Sequence, residues 1–255
     1  MSLRILCSND DGIHAEGLAT LEKIARELSD DVWVVAPETD QSGAARSLTL
    51  SNPLRVRKVA ERKFAIAGTP TDCVQMGVGT ILHDDGKRPD LILSGVNNGQ
   101  NVAEDITFSG TVAVAFQGMA LGVPSVALSL ARFRREHCHW ETPEQHAPAI
   151  LRKLLDKGWD DDVVLNINFP DRTPEEVTGI ELTAQGSRDK VNLFAEERTD
   201  LRGRRYYWFG FDGTLSDPAD GTDLKAIYEG RISITPVHLD LTHEKSRQEI
   251  SKLFD

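Results

Sequence analysis

Two adjacent carboxylates, Asp10 and Asp11, stand in the segment Ser8-Asn9-Asp10-Asp11-Gly12, directly after a short apolar run. Paired carboxylates repel each other unless a cation or hydrogen-bond donors compensate. A divalent metal resolves that conflict; an Asx turn or a cap on the following helix is the other use such residues have. Two more polar loops follow apolar runs, Asp40-Gln41-Ser42-Gly43 and Ser94-Gly95-Val96-Asn97-Asn98-Gly99. Ser42 offers a hydroxyl and Asn97 an amide oxygen, although Gln-Ser-Gly and Gly-x-Asn also make ordinary turns. Two carboxylates, a hydroxyl and an amide form a hard donor set with positions left for water or a phosphate oxygen, which favours Mg²⁺ or Mn²⁺ over zinc.

Ser109-Gly110-Thr111 precedes a run of small residues with helical character. Hydroxyls, unspent backbone N–H groups and the positive end of a helix dipole suit a phosphate there, and a plain N-cap uses the same residues. Neither a Walker A sequence nor a G-x-G-x-x-G turn lies near the first strand, which argues against nucleoside-triphosphatase and dinucleotide-binding readings. His14 is expected on an exposed first helical turn, and His137-Cys138-His139 in a charged, solvated loop without a partner motif. Arg46 is a loop arginine that either meets a phosphate or is solvated.

Loops so far apart in sequence meet only if strands deliver them to one edge, as a parallel α/β sheet does. Leu3 to Cys7 reads as a buried strand, Leu18 to Leu28 as an amphipathic helix and Val32 to Ala36 as a second strand. Ser47 to Leu50, Leu54 to Val59 and Phe64 to Ile66 read as short antiparallel strands beside the sheet. Thr71 is the expected cap of a helix through Leu82, followed by strands at Leu91 to Leu93, Ser125 to Leu128 and Val163 to Phe169, with helices from Ser109 and over His146 to Leu155. Beyond Pro170 the texture is β-rich, with strands at Ile180 to Thr183, Arg205 to Phe209 and Arg231 to Thr235. The chain divides on this reading into an α/β core carrying the site, residues 1–130, and the remaining core elements with a C-terminal arm, residues 131–255.

Forty acidic residues against twenty-nine basic ones give a formal charge of −11 over 255 residues, which argues against binding long nucleic acid through its phosphates. Cys7, Cys73 and Cys138 are odd in number and lack C-x-x-C spacing, so neither a disulfide framework nor a structural zinc site is expected. No apolar run reaches membrane-spanning length and no leader pattern opens the chain, so a cytoplasmic protein without membrane contact is expected.

Several of these motifs in one order resemble the SurE survival-protein family of metal-dependent 5′-nucleotidases. The resemblance rests on the Asp10-Asp11 segment, Val35-Ala36-Pro37 with Ser42-Gly43-Ala44, Gly68-Thr69-Pro70-Thr71-Asp72-Cys73, Ser94-Gly95-Val96-Asn97 and Ser109-Gly110-Thr111. It continues through Gly221-Thr222-Asp223, Glu229-Gly230 and Ser233-Ile234-Thr235-Pro236. It implies a Rossmann-like three-layer α/β/α core with a β-rich C-terminal extension that contributes to homodimers or homotetramers. It further implies metal ligation by Asp10, Asp11, Ser42 and Asn97, with Ser109, Gly110 and Thr111, and Asn97 again, near the substrate phosphate. Glu16 stands where many members have proline, and Asn98 where a small residue is common.

The function expected is hydrolysis of nucleoside 5′-monophosphates, small-molecule substrates, with activity on 3′-nucleotides and short polyphosphate left open. Asp10 is the candidate catalytic residue, as base or as nucleophile, with attack by water activated at the cation the third route. The Asp10-Asp11 segment lacks the Asp-x-Asp spacing associated with an aspartyl-phosphate intermediate, which favours water. Two rivals are a non-catalytic nucleotide or phosphate sensor using the same crevice, and an assembly protein built through the C-terminal arm.

Overall fold

The apolar runs become strands with almost no exposed face. In the computed structural model, which describes residues 3–82, 86–133, 137–189, 193–211 and 215–254, β1 (Arg4–Ser8), β6 (Ser125–Leu130) and β7 (Val164–Phe169) are buried at every position. β2 (Asp31–Pro37) and β5 (Leu91–Asn98) flank β1, and the order β2-β1-β5-β6-β7 is parallel throughout. Burial on both faces is what a parallel sheet covered by crossover helices requires.

Side chains alternate between the two faces. Ile5 and Cys7 pack with Leu18, Leu21 and Ile24 of α1 (Glu16–Leu28) and with Ile150 and Leu151 of α4 (Glu141–Lys157). Leu6 points the other way, into a cluster with Val74 of α2 (Pro70–Met76) and Val114 of α3 (Gly110–Ala120). The result is three layers. Truncating a fully buried residue such as Leu6 to alanine costs about 2–5 kcal/mol in such a core.

The chain leaves β1 for β2 on one side and later returns as β5 on the other, so the order reverses at β1. In open α/β sheets a crevice forms at such a point, beyond the carboxyl ends of the strands. Asp10, Asp11 and Asn97 lie at those ends.

The sheet is extended at both edges. β4 (Lys63–Ile66) adds parallel to β2, and β3 (Val56–Ala60) pairs antiparallel with β4. The stretch Ser47 to Leu50 is not a strand: the Thr49 N–H donates to Asp72 Oδ1 and the Thr69 hydroxyl to the Ser47 carbonyl, so side chains at the start of α2 hold this segment. The cap of α2 is Thr69 rather than Thr71. Thr69 and Asp72 form a reciprocal capping box that places Pro70 at the first helical position, where its missing N–H costs nothing.

The β-rich C-terminal segment is divided in two. β11 (Arg231–Val237) pairs antiparallel with β7, and β8 (Gly179–Leu182) parallel with β11, so both complete the main sheet. β9 (Leu193–Thr199) and β10 (Arg205–Phe211) pair only with each other as a separate hairpin. Two short helices accompany these strands: α5 (Asp223–Tyr228) precedes β11 and α6 (Glu244–Ser251) follows it. Among the described residues no helix is long and apolar enough to cross a membrane.

Candidate active site

Asn9 shapes the turn after β1. Its side chain donates to the Gly12 carbonyl and accepts from the Gly12 N–H, and the Ile13 N–H is bound by the Pro37 carbonyl at the end of β2. The Gln41 N–H donates to the Asp10 carbonyl, which ties the β2 loop to the same turn. Asp10 and Asp11 are therefore fixed by backbone contacts with neighbouring strand ends.

Asp10 is 4% exposed, and its Oδ1 accepts from the Thr111 hydroxyl at 2.5 Å. The start of α3 reaches it closely: a methyl group on Gly110 would lie 2.6 Å from Asp10 Cβ, nearer than any real contact. Burial pushes the Asp10 carboxyl above the ordinary range, against hydrogen bonds from Thr111 and the Gly110 N–H; the Asp40 charge pushes it further. Ser109 caps α3, accepting from the Val112 N–H at 3.0 Å. The cap and the cradle are thus one structure: Ser109 is spent on the helix and Thr111 on Asp10.

Asp11 is pushed up to about 6, first by burial and then by the charge on Asp10, with the Asn98 N–H opposing the rise. That N–H lies 3.4 Å from Asp11 Oδ2. β5 runs on past Ser94 through an irregularity in its register with β6. Gly95 makes that possible, with φ of +127° and a Cβ position only 2.2 Å from the Leu128 carbonyl oxygen. Beyond it Asn97 donates Nδ2–H to the Gly99 carbonyl at 2.8 Å, and Oδ1 accepts from none of the described residues.

Ser42 is exposed, and its hydroxyl donates to Asp40 Oδ1 at 2.7 Å. Asp10, Asp11, Gly110 and Thr111 are thus joined by direct contacts, with the Asn98 N–H on Asp11 and Asn97 next to it in β5, while Ser42 is held by Asp40 in the β2 loop. Asp40 was not nominated from the sequence, although it sits in the same loop; its negative charge acts on both members of the Asp pair. His14 is exposed, and Arg46 reaches Gln117 Oε1 of α3 at 3.0 Å.

The donors present suit a hard divalent cation. Two carboxylates, an amide oxygen and a hydroxyl are all oxygen, and both aspartates have raised pKa values, through burial first and then neighbouring carboxylate charge (Asp40 on Asp10; Asp10 and Asp40 on Asp11), a cost to the ionised pair that a cation relieves. Ser8 and Ser94, opposite each other in β1 and β5, bury hydroxyls that have no hydrogen-bond partner among the described residues.

Comparison with known proteins gives a consistent result. The family model "Survival protein SurE" matches residues 5–192. The "5′-nucleotidase SurE" of Caulobacter vibrioides (strain NA1000 / CB15N) is 60% identical over 247 residues, 96% of this chain and 93% of that protein. The protein of the same name from Parvibaculum lavamentivorans is 58% identical over 252 residues, 98% and 90% of the two chains. The crystal structure of the SurE protein from Aquifex aeolicus superposes with a TM-score of 0.83 at 39% identity, covering 99% of this chain and all of that one. With the Rossmann-like α/β sheet and a full-length match to such relatives, the chain belongs to the SurE survival-protein family.

Proposed function

We propose that this protein is a divalent-metal-dependent 5′-nucleotidase, a phosphomonoester hydrolase acting on nucleoside 5′-monophosphates. The observation that carries it is the junction of Asp10 with Gly110 and Thr111, which sets a candidate cation site against a helix N-terminus that suits phosphate. Its relatives at up to 60% identity carry the name 5′-nucleotidase SurE.

In this reading Asp10, Asp11, Asn97 and Ser42 hold Mg²⁺ or Mn²⁺, Ser42 turning from Asp40 to do so. The cation, when bound, supplies charge neutralisation for the phosphoryl oxygens and acidifies water. Gly110 and Thr111, with Asn97 and the cap Ser109, orient the phosphate at the start of α3. The hydrogen bonds from Thr111 and Gly110 hold the Asp10 carboxylate in place and oppose the upward push of burial on its pKa, which supports its role as an oriented ligand; the Asp10-Asp11 segment lacks the Asp-x-Asp spacing of aspartyl-phosphate chemistry, which favours direct attack by water.

We also propose that the β9–β10 hairpin is a subunit-contact arm in a homodimer or homotetramer. Tyr207, Trp208 and Phe209 are 58, 61 and 78% exposed on it, more aromatic surface than an isolated hairpin leaves in water without a partner.

The test of the enzymatic reading is phosphate release from nucleoside monophosphates with Mg²⁺ or Mn²⁺, with and without chelator. Metal-dependent release is expected, and Asp11→Ala abolishes it in a folded protein. Nucleotide binding without release supports the sensor instead.

A further inference from the structure

His137, Cys138, His139, Trp140 and Glu141 form a short segment that runs into α4, and its side chains alternate in direction. The Cys138 thiol turns to Asn98 Oδ1 at 3.3 Å, and Trp140 donates Nε1–H to Glu16 Oε2 at 3.2 Å while its ring lies against Gly17 of α1. The backbone is held as well: Thr142 N–H binds the His139 carbonyl and Trp140 N–H the Cys138 carbonyl, both at 2.9 Å. His137, His139 and Glu141 are left together, each able to offer one ligand atom within 4.8 Å of the others. Among the described residues no other group of three His, Cys, Asp or Glu side chains is gathered this closely.

We propose that His137, His139 and Glu141 form a second cation site, of the zinc class, beside the crevice, with the charge of Asp171 behind His139. His139 Nδ1 and Glu141 Oε1 are 2.9 Å apart, a hydrogen-bond distance with room for one proton between them. Two ligands of a tetrahedral zinc ion sit roughly 3.3 Å apart at bond lengths near 2.0–2.1 Å, so the ion replaces that proton with little movement. The His137 ring meets the His139 ring edge to face at 4.9 Å between centroids, near enough to supply a third ligand, and water completes the set.

The other nitrogen of His139 faces a carboxylate: Nε2 is 4.0 Å from Asp171 Oδ1. The Asp171 side chain is 5% exposed, and its Oδ2 accepts the Phe133 N–H at 2.9 Å. At that distance there is no direct hydrogen bond, and the buried carboxylate acts on His139 through its negative charge, which favours a cation at the ring. Imidazole donors select zinc-like ions where the all-oxygen crevice selects Mg²⁺ or Mn²⁺, so donor softness sorts two cations between two neighbouring sites.

The test is titration of the full chain with Zn²⁺ against a chromophoric chelator, with Co²⁺ absorption reporting tetrahedral coordination. One zinc equivalent is expected to survive Asp11→Ala and to disappear in His137→Ala and in His139→Ala, with Asp171→Asn weakening it by the loss of one nearby charge. His137 is exposed, and among the described residues its ring packs only against that of His139, so His137→Ala keeps the test valid should His139→Ala fail to fold. Zinc binding unchanged in His137→Ala, or abolished by Asp11→Ala alone, overturns the proposal. The readout is metal binding, so it does not depend on the nucleotidase reading.

Discussion

The Thr111 hydroxyl donates to Oδ1 of Asp10 at 2.5 Å, joining two residues 101 positions apart in the chain. Through this contact the first turn of α3 and the loop after β1 become one unit. Thr111→Val removes the donor while preserving shape, and leaves a buried carboxylate short of a partner. A hydrogen bond to a charged group contributes about 1.5–3 kcal/mol, so kcat/KM for phosphate release is expected to fall roughly 10- to 100-fold. Thr111→Ser keeps the hydroxyl and retains most of the activity. Equal loss in both variants refutes a role through the hydroxyl.

Gly110 tests the same junction by steric means. An added methyl would lie 2.6 Å from Asp10 Cβ and 2.8 Å from Oδ2, so Gly110→Ala must displace either the helix start or the carboxylate. A misplacement of about 1 Å costs on the order of 100-fold in rate. We expect that loss in phosphate release together with a lower Tm, since overpacking costs about 1–3 kcal/mol. An active variant of unchanged Tm shows that the junction yields freely.

How far the sequence reveals this site follows from which interactions are local. Strand ends, turn glycines and the Ser109 cap are written in neighbouring residues, so Asp10, Asp11, Asn97 and Ser109 to Thr111 could be nominated together. The Thr111–Asp10 contact spans most of the parallel core and carries no local signature. The apolar runs also gave the parallel strands, whereas β8 and β11 read as part of an arm because pairing partners, not composition, decide which sheet a strand joins. The aromatic β10 was legible; its partner β9, with Glu196, Glu197 and Arg198 at its centre, was not. His137 and His139 read as a solvated loop because Asp171 approaches them only through the fold, and Glu141, although only two residues from His139, carries no metal-ligand spacing that the sequence marks out. Glu16 and Asn98, which stand out in the sequence, both contact this segment, through Trp140 and Cys138.

Asp11 gives the site a pH signature in protein stripped of divalent cations. Its pKa rises from 3.8 in the unfolded chain to about 6 in the folded one, through burial and then the charge of Asp10. The folded state therefore binds the proton more tightly, and this contribution to stability is complete below pH 3.8 and lost as pH rises through about 6. Asp11→Asn removes the dependence. Relative to the wild type it is expected to gain stability between pH 4 and pH 7.5, by up to roughly 3 kcal/mol, in urea unfolding with chelator present. Adding Mn²⁺ at pH 7.5 should raise the wild-type midpoint and leave Asp11→Asn where it was. A stability difference between the two proteins that does not change with pH contradicts the assignment.

The hairpin can be separated from the catalytic machinery, because β8 and β11 on either side of it belong to the main sheet and the hairpin strands pair only with each other. Replacing residues 190–214 with a short Gly-Ser linker therefore leaves the sheet, the Asp10 turn and the start of α3 in place. Removing Tyr207, Trp208 and Phe209 takes away exposed aromatic surface, the class of side chain that most often anchors subunit contacts. The shortened chain is expected to show a smaller mass by light scattering than the wild type, with far-UV circular dichroism reporting an intact fold. If the mass per particle stays that of the wild-type assembly, the hairpin is not the contact. If the mass falls while metal-dependent phosphate release persists, each subunit holds a complete site of its own.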